Sequence, residues 1–93
     1  MFKHIVFFRF TDPANAPEAK RRLESMPGRV PALSALEVGL DQIHSDRSWD
    51  MVLHTHFADE EAYRAYAVDP VHQEVLSWLK TVVAASATVD YEG

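Results

Sequence analysis

Two tyrosines and a histidine lie close together in the stretch from Asp59 to Leu79. Tyr63 and Tyr66 precede the pair Asp69-Pro70, and His72 follows it. A residue before proline avoids the α region, so the stretch reads as two helical pieces hinged at Pro70. His72 then sits in the first turn of the second piece, where the helix dipole disfavours imidazolium. A neutral imidazole can act as a general base, and Tyr66 could hold or protonate an enolate oxygen. The plainer role for His72 is structural, bonding a backbone carbonyl or capping the break. His4, in the first apolar run, is a third candidate, either as a ligand contact or as a hydrogen-bonded core group. His54 and His56 are two apart, which on a strand turns both to one side. That spacing suits two metal ligands, but no third ligand of clear spacing accompanies them, so no metal site is assigned.

These residues need elements to position them. Phe2 to Phe10 is rich in β-branched and aromatic residues and reads as a strand covered on both sides. Its parity Phe2, His4, Val6, Phe8, Phe10 faces one way, and Lys3, Ile5, Phe7, Arg9 the other. Asp12-Pro13 and Asn15-Ala16-Pro17 offer two helix starts. The second is favoured because Ala16, Ala19, Leu23 and Met26 then share a face. Glu18 and Arg22 form an i, i+4 pair, and Pro27-Gly28 ends the helix.

Ser34 to Ile43 reads as a second strand, with Gly39 marking a bulge or a close backbone approach. A polar hairpin loop around His44 to Ser48 leads to a third strand, Trp49 to Phe57. There Met51, Leu53, Thr55 and Phe57 share one face, and Val52, His54 and His56 the other. Asp59 is placed to cap the helix that carries Tyr63 and Tyr66. His72, Val75, Leu76 and Leu79 give the second piece its apolar stripe. Ala84 to Tyr91 is the last strand, whose small residues would let another element approach closely.

The 93 residues make one domain, 1–93. A chain of this size buries only roughly 60–65% of its unfolded surface, so association would help it. There is no cysteine, which excludes disulfides and thiol chemistry. A net charge of −5 argues against a nucleic-acid surface. The opening apolar run is too short to span a membrane and lacks a cleavage site, so a soluble cytoplasmic chain with no membrane partner is expected.

Strand, helix, strand, strand, helix, strand is the α+β, ferredoxin-like βαββαβ order. Right-handed crossovers put the helices on one face of a four-stranded antiparallel sheet. The other face would leave Ile5, Phe7 and Val52 in water, so a homodimer with two sheets face to face is expected.

Several stretches together resemble the stress-responsive A/B-barrel (Dabb) family. They are Lys3 to Phe10, Leu36 to Asp41, Trp49 to Leu53, Phe57 to Ala62, Tyr66 through Pro70-Val71-His72, and Val89-Asp90-Tyr91. The resemblance implies a dimeric α/β barrel but no single activity. One plant branch, similar to olivetolic acid cyclase, closes a linear polyketide by aldol condensation without metal or cofactor. Its acid/base tyrosine and histidine match Tyr66 and His72, and its first-strand histidine matches His4. Its third-strand pocket histidine falls at Met51, and a histidine frequent before the proline is Asp69 here. The candidates are therefore Tyr66 and His72 for catalysis, with His4, Met51 and Tyr63 as ligand contacts. Tyr63 also reads simply as a core or interface aromatic.

Three functions follow. The first is a stress-responsive homodimer that binds an apolar small molecule without catalysis. The second is a cofactor-free acid/base enzyme acting on a carbonyl or polyketide-like substrate. The third is a haem or metal binder. The first is preferred, and no cofactor is expected.

Overall fold

The computed structural model describes residues 1–93. Strand β1 (Phe2–Phe10) leads through a 3-10 turn (Pro13–Asn15) into helix α1 (Ala16–Glu24). Strands β2 (Ala35–Leu40) and β3 (Met51–Phe57) follow. Helices α2 (Glu60–Ala67) and α3 (Pro70–Val82) come next, and strand β4 (Val83–Glu92) closes the chain. The four strands form one antiparallel sheet in the order β2-β3-β1-β4, the ferredoxin-like arrangement expected from the sequence.

The alternation along β1 sorts its residues cleanly. Phe2, Val6, Phe8 and Phe10 are buried under the helices, together with Met51, Leu53, Thr55 and Phe57 of β3. Ala16, Ala19, Leu23 and Met26 close this core from α1, and Tyr66, Val75 and Leu79 close it from α2 and α3. The opposite face carries no helix. Phe7, Val89 and Tyr91 stay exposed on it, at 40%, 59% and 43%. Ile5 departs from expectation. It is only 8% exposed, because its cross-strand neighbours His54 and Val89 flank it.

The boundaries differ in places, each for a local reason. Asp12, not Asn15, provides the side-chain cap, accepting from the Ala14 N–H at 2.9 Å, while Asn15 makes no capping bond. Both helix starts are thus used, one for the 3-10 turn and one for α1. Strand β3 begins at Met51 rather than Trp49. Asp50 turns its carboxylate to the Phe10 N–H at 2.8 Å, at the point where the β1–β4 register shifts, and Trp49 stacks against the Arg9 guanidinium at 4.4 Å. Strand β2 likewise stops at Leu40, where the Asp41 carboxylate caps the His44 N–H at 2.7 Å. Strand β4 starts directly at Val83 with no loop after α3. Gly39 is a close approach: a Cβ there would meet Val52 Cγ1 at 3.2 Å.

Candidate functional site

The break between α2 and α3 is built by Asp69. Its extended backbone ends α2, and its carboxylate accepts from the Val71 and His72 N–H groups at 2.8 and 3.4 Å. With Pro70 filling the first position, two otherwise orphaned donors of α3 are satisfied. This fixes His72 one turn beyond Tyr66. Their ring centroids are 4.0 Å apart at 32°, so the rings stack rather than hydrogen-bond to each other. Asp59 starts α2 by accepting from the Ala62 N–H at 2.8 Å. That start sets Tyr63 and Tyr66 on the face looking down at β1 and β3.

His4 rises from β1 to meet them. Its ring lies 4.9 Å from Tyr63 and 6.4 Å from Tyr66. Phe57 underlies both tyrosines, at 5.6 and 4.9 Å, and Phe2 packs on Tyr63 at 5.2 Å. His4, Tyr63, Tyr66 and His72 therefore form one aromatic cluster between the sheet and α2–α3. Met51 is not part of it. It pairs with Phe8, four residues along the strand from Thr55, the partner of His4, and is sealed in the core at 2% exposure. That offset is about 13 Å.

The hydrogen bonds define which ring atoms are left. His72 Nδ1 faces the Ala67 carbonyl at 3.3 Å. A carbonyl only accepts, so Nδ1 carries the proton and Nε2 keeps its lone pair in the neutral ring. This bond, with one from the Gln73 amide, satisfies the last carbonyl of α2. His4 Nδ1 donates to the Asp90 carboxylate. Its Nε2 is likewise free. Neither Nε2 nor the Tyr66 hydroxyl has a hydrogen-bond partner in the chain, yet no buried side-chain nitrogen or oxygen lacks one. All three atoms must therefore reach solvent. Tyr66 is only 1% exposed, so the solvent contact of its hydroxyl is slight. On β4, beside His4, the residues Ser86, Thr88 and Asp90 are exposed.

Burial holds the His72 pKa below its ordinary value, the neighbouring His4 adds to this, and nearby backbone carbonyls oppose it. His72 is thus neutral at pH 7, as its place at a helix start implied. Burial drives the Tyr66 hydroxyl well above the ordinary tyrosine range, and Tyr63 adds to the effect. Tyr63 is raised by burial and then by the charge of Asp90. Both phenols are therefore proton-bearing donors at neutral pH. The cluster offers a neutral imidazole acceptor at His72, two phenol donors and the His4 ring held by Asp90, a set that can hold a hydroxylated carbonyl compound or move a proton on one.

Asp90 was not singled out from the sequence. The signal was available: on a last strand whose parity Ala85, Ala87, Val89, Tyr91 faces away from the helices, Asp90 must face them. Placing it opposite His4 needs the β1–β4 register, which alternation alone does not supply. His54 and His56 lie on the uncovered face with Glu37 across from His54. No three metal-ligating side chains converge there or elsewhere. Asp50, the other acid near that strand, is spent on the Phe10 N–H.

The pattern described as the Stress responsive A/B Barrel Domain matches residues 2–93. The chain belongs to the stress-responsive A/B-barrel (Dabb) family. Among solved structures it is similar to a dimeric ferredoxin-like protein of unknown function from Bacteroides fragilis, at 26% identity and a TM-score of 0.86. That match covers 99% of this chain and 95% of the other. A dimeric ferredoxin-like protein of unknown function from Thermobifida fusca matches at 23% identity and a TM-score of 0.87, covering 99% and 90%. A hydroxynitrile lyase from Passiflora edulis shares the fold at a TM-score of 0.83, with 14% identity over 97% and 90% of the two chains. No match is found among curated proteins. No helix of this Dabb chain is long and apolar enough to cross a membrane.

Proposed function

We propose that this Dabb protein is a homodimer in which each protomer binds a small, hydroxylated apolar carbonyl compound at the His4, Tyr63, Tyr66, His72 cluster. The carrying observation is the set of three side-chain atoms, His4 Nε2, His72 Nε2 and the Tyr66 hydroxyl, left without partners in one aromatic cluster. A ligand carbonyl accepts from Tyr66 and a ligand hydroxyl donates to an imidazole. The surrounding rings of Phe2, Phe57 and Tyr63 take its apolar part. The dimer reading rests on Phe7, Val89 and Tyr91, which a lone protomer leaves in water on the helix-free face. The Bacteroides relative described as dimeric supports it. Equilibrium dialysis with 2,4-dihydroxyacetophenone tests the binding. Wild type retains the probe, and Tyr66→Phe loses most of it. Equal retention by both would remove Tyr66 from the site.

One observation favours a second reading, acid/base catalysis. The Asp90 carboxylate fixes His4 in a single ring orientation beside a neutral His72, an arrangement suited to moving a proton. The same probe separates the two. An acid/base enzyme speeds deuterium exchange at its methyl group in heavy water, and His72→Ala abolishes the gain. A pure binder leaves the exchange rate at the buffer value.

A further inference from the structure

We propose a second ligand site, for a small phosphate-bearing anion, in the crevice between α1 and α3. The crevice, about 210 Å³, is lined by Arg21, Arg22, Ser25 and Arg29 on the α1 side and by Val71, Glu74 and Val75 on α3. Three of the chain's nine cationic side chains meet there, in a protein of net charge −5. Their donors are far from used up. Arg21 gives two bonds to Glu18, Arg22 gives one to Glu18, and Arg29 gives one to the Ser25 hydroxyl. Each guanidinium carries five N–H donors, so most point to solvent.

The arrangement is also held in place. Glu18 stays ionised down to a pKa of about 2 because Arg21 and Arg22 bond to it, so it anchors both at any physiological pH. The Arg22 guanidinium lies over the Trp78 ring, 4.2 Å from its centroid, which helps hold the side chain in place. A planar carboxylate pairs side-on with one guanidinium, as Glu18 does with Arg21 while also accepting from Arg22. Three guanidiniums on different stems instead suit an anion with several oxygens spread in three dimensions. Glu74 is the opposing charge on the far wall and forms no bond that would neutralise it. It weakens the site without closing it. The crevice lies on the helical side, so sheet-to-sheet pairing of two copies leaves it open.

The two tryptophans report on this directly. Trp78 lies under Arg22, whereas Trp49 lies under Arg9, on another part of the molecule. Inorganic phosphate is titrated at constant ionic strength, with chloride and acetate as controls, while both indole N–H signals are followed by NMR. The Trp78 signal moves saturably with phosphate and the Trp49 signal stays. Arg29→Ala, at an exposed position, weakens phosphate binding about tenfold by removing one charge-assisted donor. Glu74→Gln tightens it. The site is refuted if chloride or acetate reproduces the Trp78 response, if the shift is linear in phosphate, or if Arg29→Ala leaves it unchanged.

Discussion

Replacing Phe7 with aspartate should split the dimer while leaving each protomer folded. Phe7 sits mid-strand on the helix-free face, between Val52 and Ala87, and is 40% exposed in the protomer. Fully burying a phenylalanine side chain is worth roughly 1.5–3 kcal/mol, so covering the remaining fraction is worth about 1 kcal/mol per copy. Two-fold symmetry doubles this to about 2 kcal/mol. The substitution also buries one carboxylate from each copy, each at a desolvation cost of several kcal/mol. The total is about 8 kcal/mol or more, a loss of more than roughly 100,000-fold in dimer affinity. Sedimentation equilibrium across a protein dilution series reads that change, and circular dichroism checks the fold. Ile5 is a poorer target, because it is already buried within one protomer and its loss would unfold the chain as well. A Phe7→Asp protein that stays dimeric at the wild-type concentration would refute face-to-face sheets.

Other predictions concern the helix break and the cluster. Asp69→Ala removes the cap on two α3 donors and should cost about 1 kcal/mol, lowering Tm by roughly 4–8 °C. An unchanged Tm would deny Asp69 that role. The folded His72 binds its proton less readily than the unfolded chain, whose histidine titrates near 6.5. Stability is therefore complete above that pH, falls as pH drops through it, and levels off below the folded value. His72→Asn should flatten this decline between about pH 7 and 5 in urea unfolding, and an unaltered slope would contradict it. Tyr66→Phe keeps the ring stack on Phe57 and His72 and removes only a hydroxyl without a protein partner. It should leave stability within about 1 kcal/mol of wild type, and a larger loss would mean the hydroxyl has a structural partner.

Much of this was legible in the residues themselves. The parity of β1 separated core from uncovered face, and Asp69-Pro70 marked the break that brings Tyr66 against His72. Ala16, Ala19, Leu23 and Met26 fixed the buried side of α1. What escaped was long-range. Asp90 meets His4 only through a strand register set by the whole sheet. Ile5 is covered by cross-strand neighbours rather than by a second layer. Strand β3 begins only after Asp50 finds the Phe10 N–H, a contact between residues forty apart in the chain. Met51 shares the helix side of the sheet with the cluster but sits too far along its strand to join it.

The most direct test of the binding cluster uses the five histidines as reporters. Their ring carbon-bound proton signals are followed by NMR as 2,4-dihydroxyacetophenone is added at pH 7. The His4 and His72 signals should shift together and saturate, while those of His44, His54 and His56 stay in place. Shifts confined to the latter three, or no saturable shift at all, would contradict a ligand site at Tyr66.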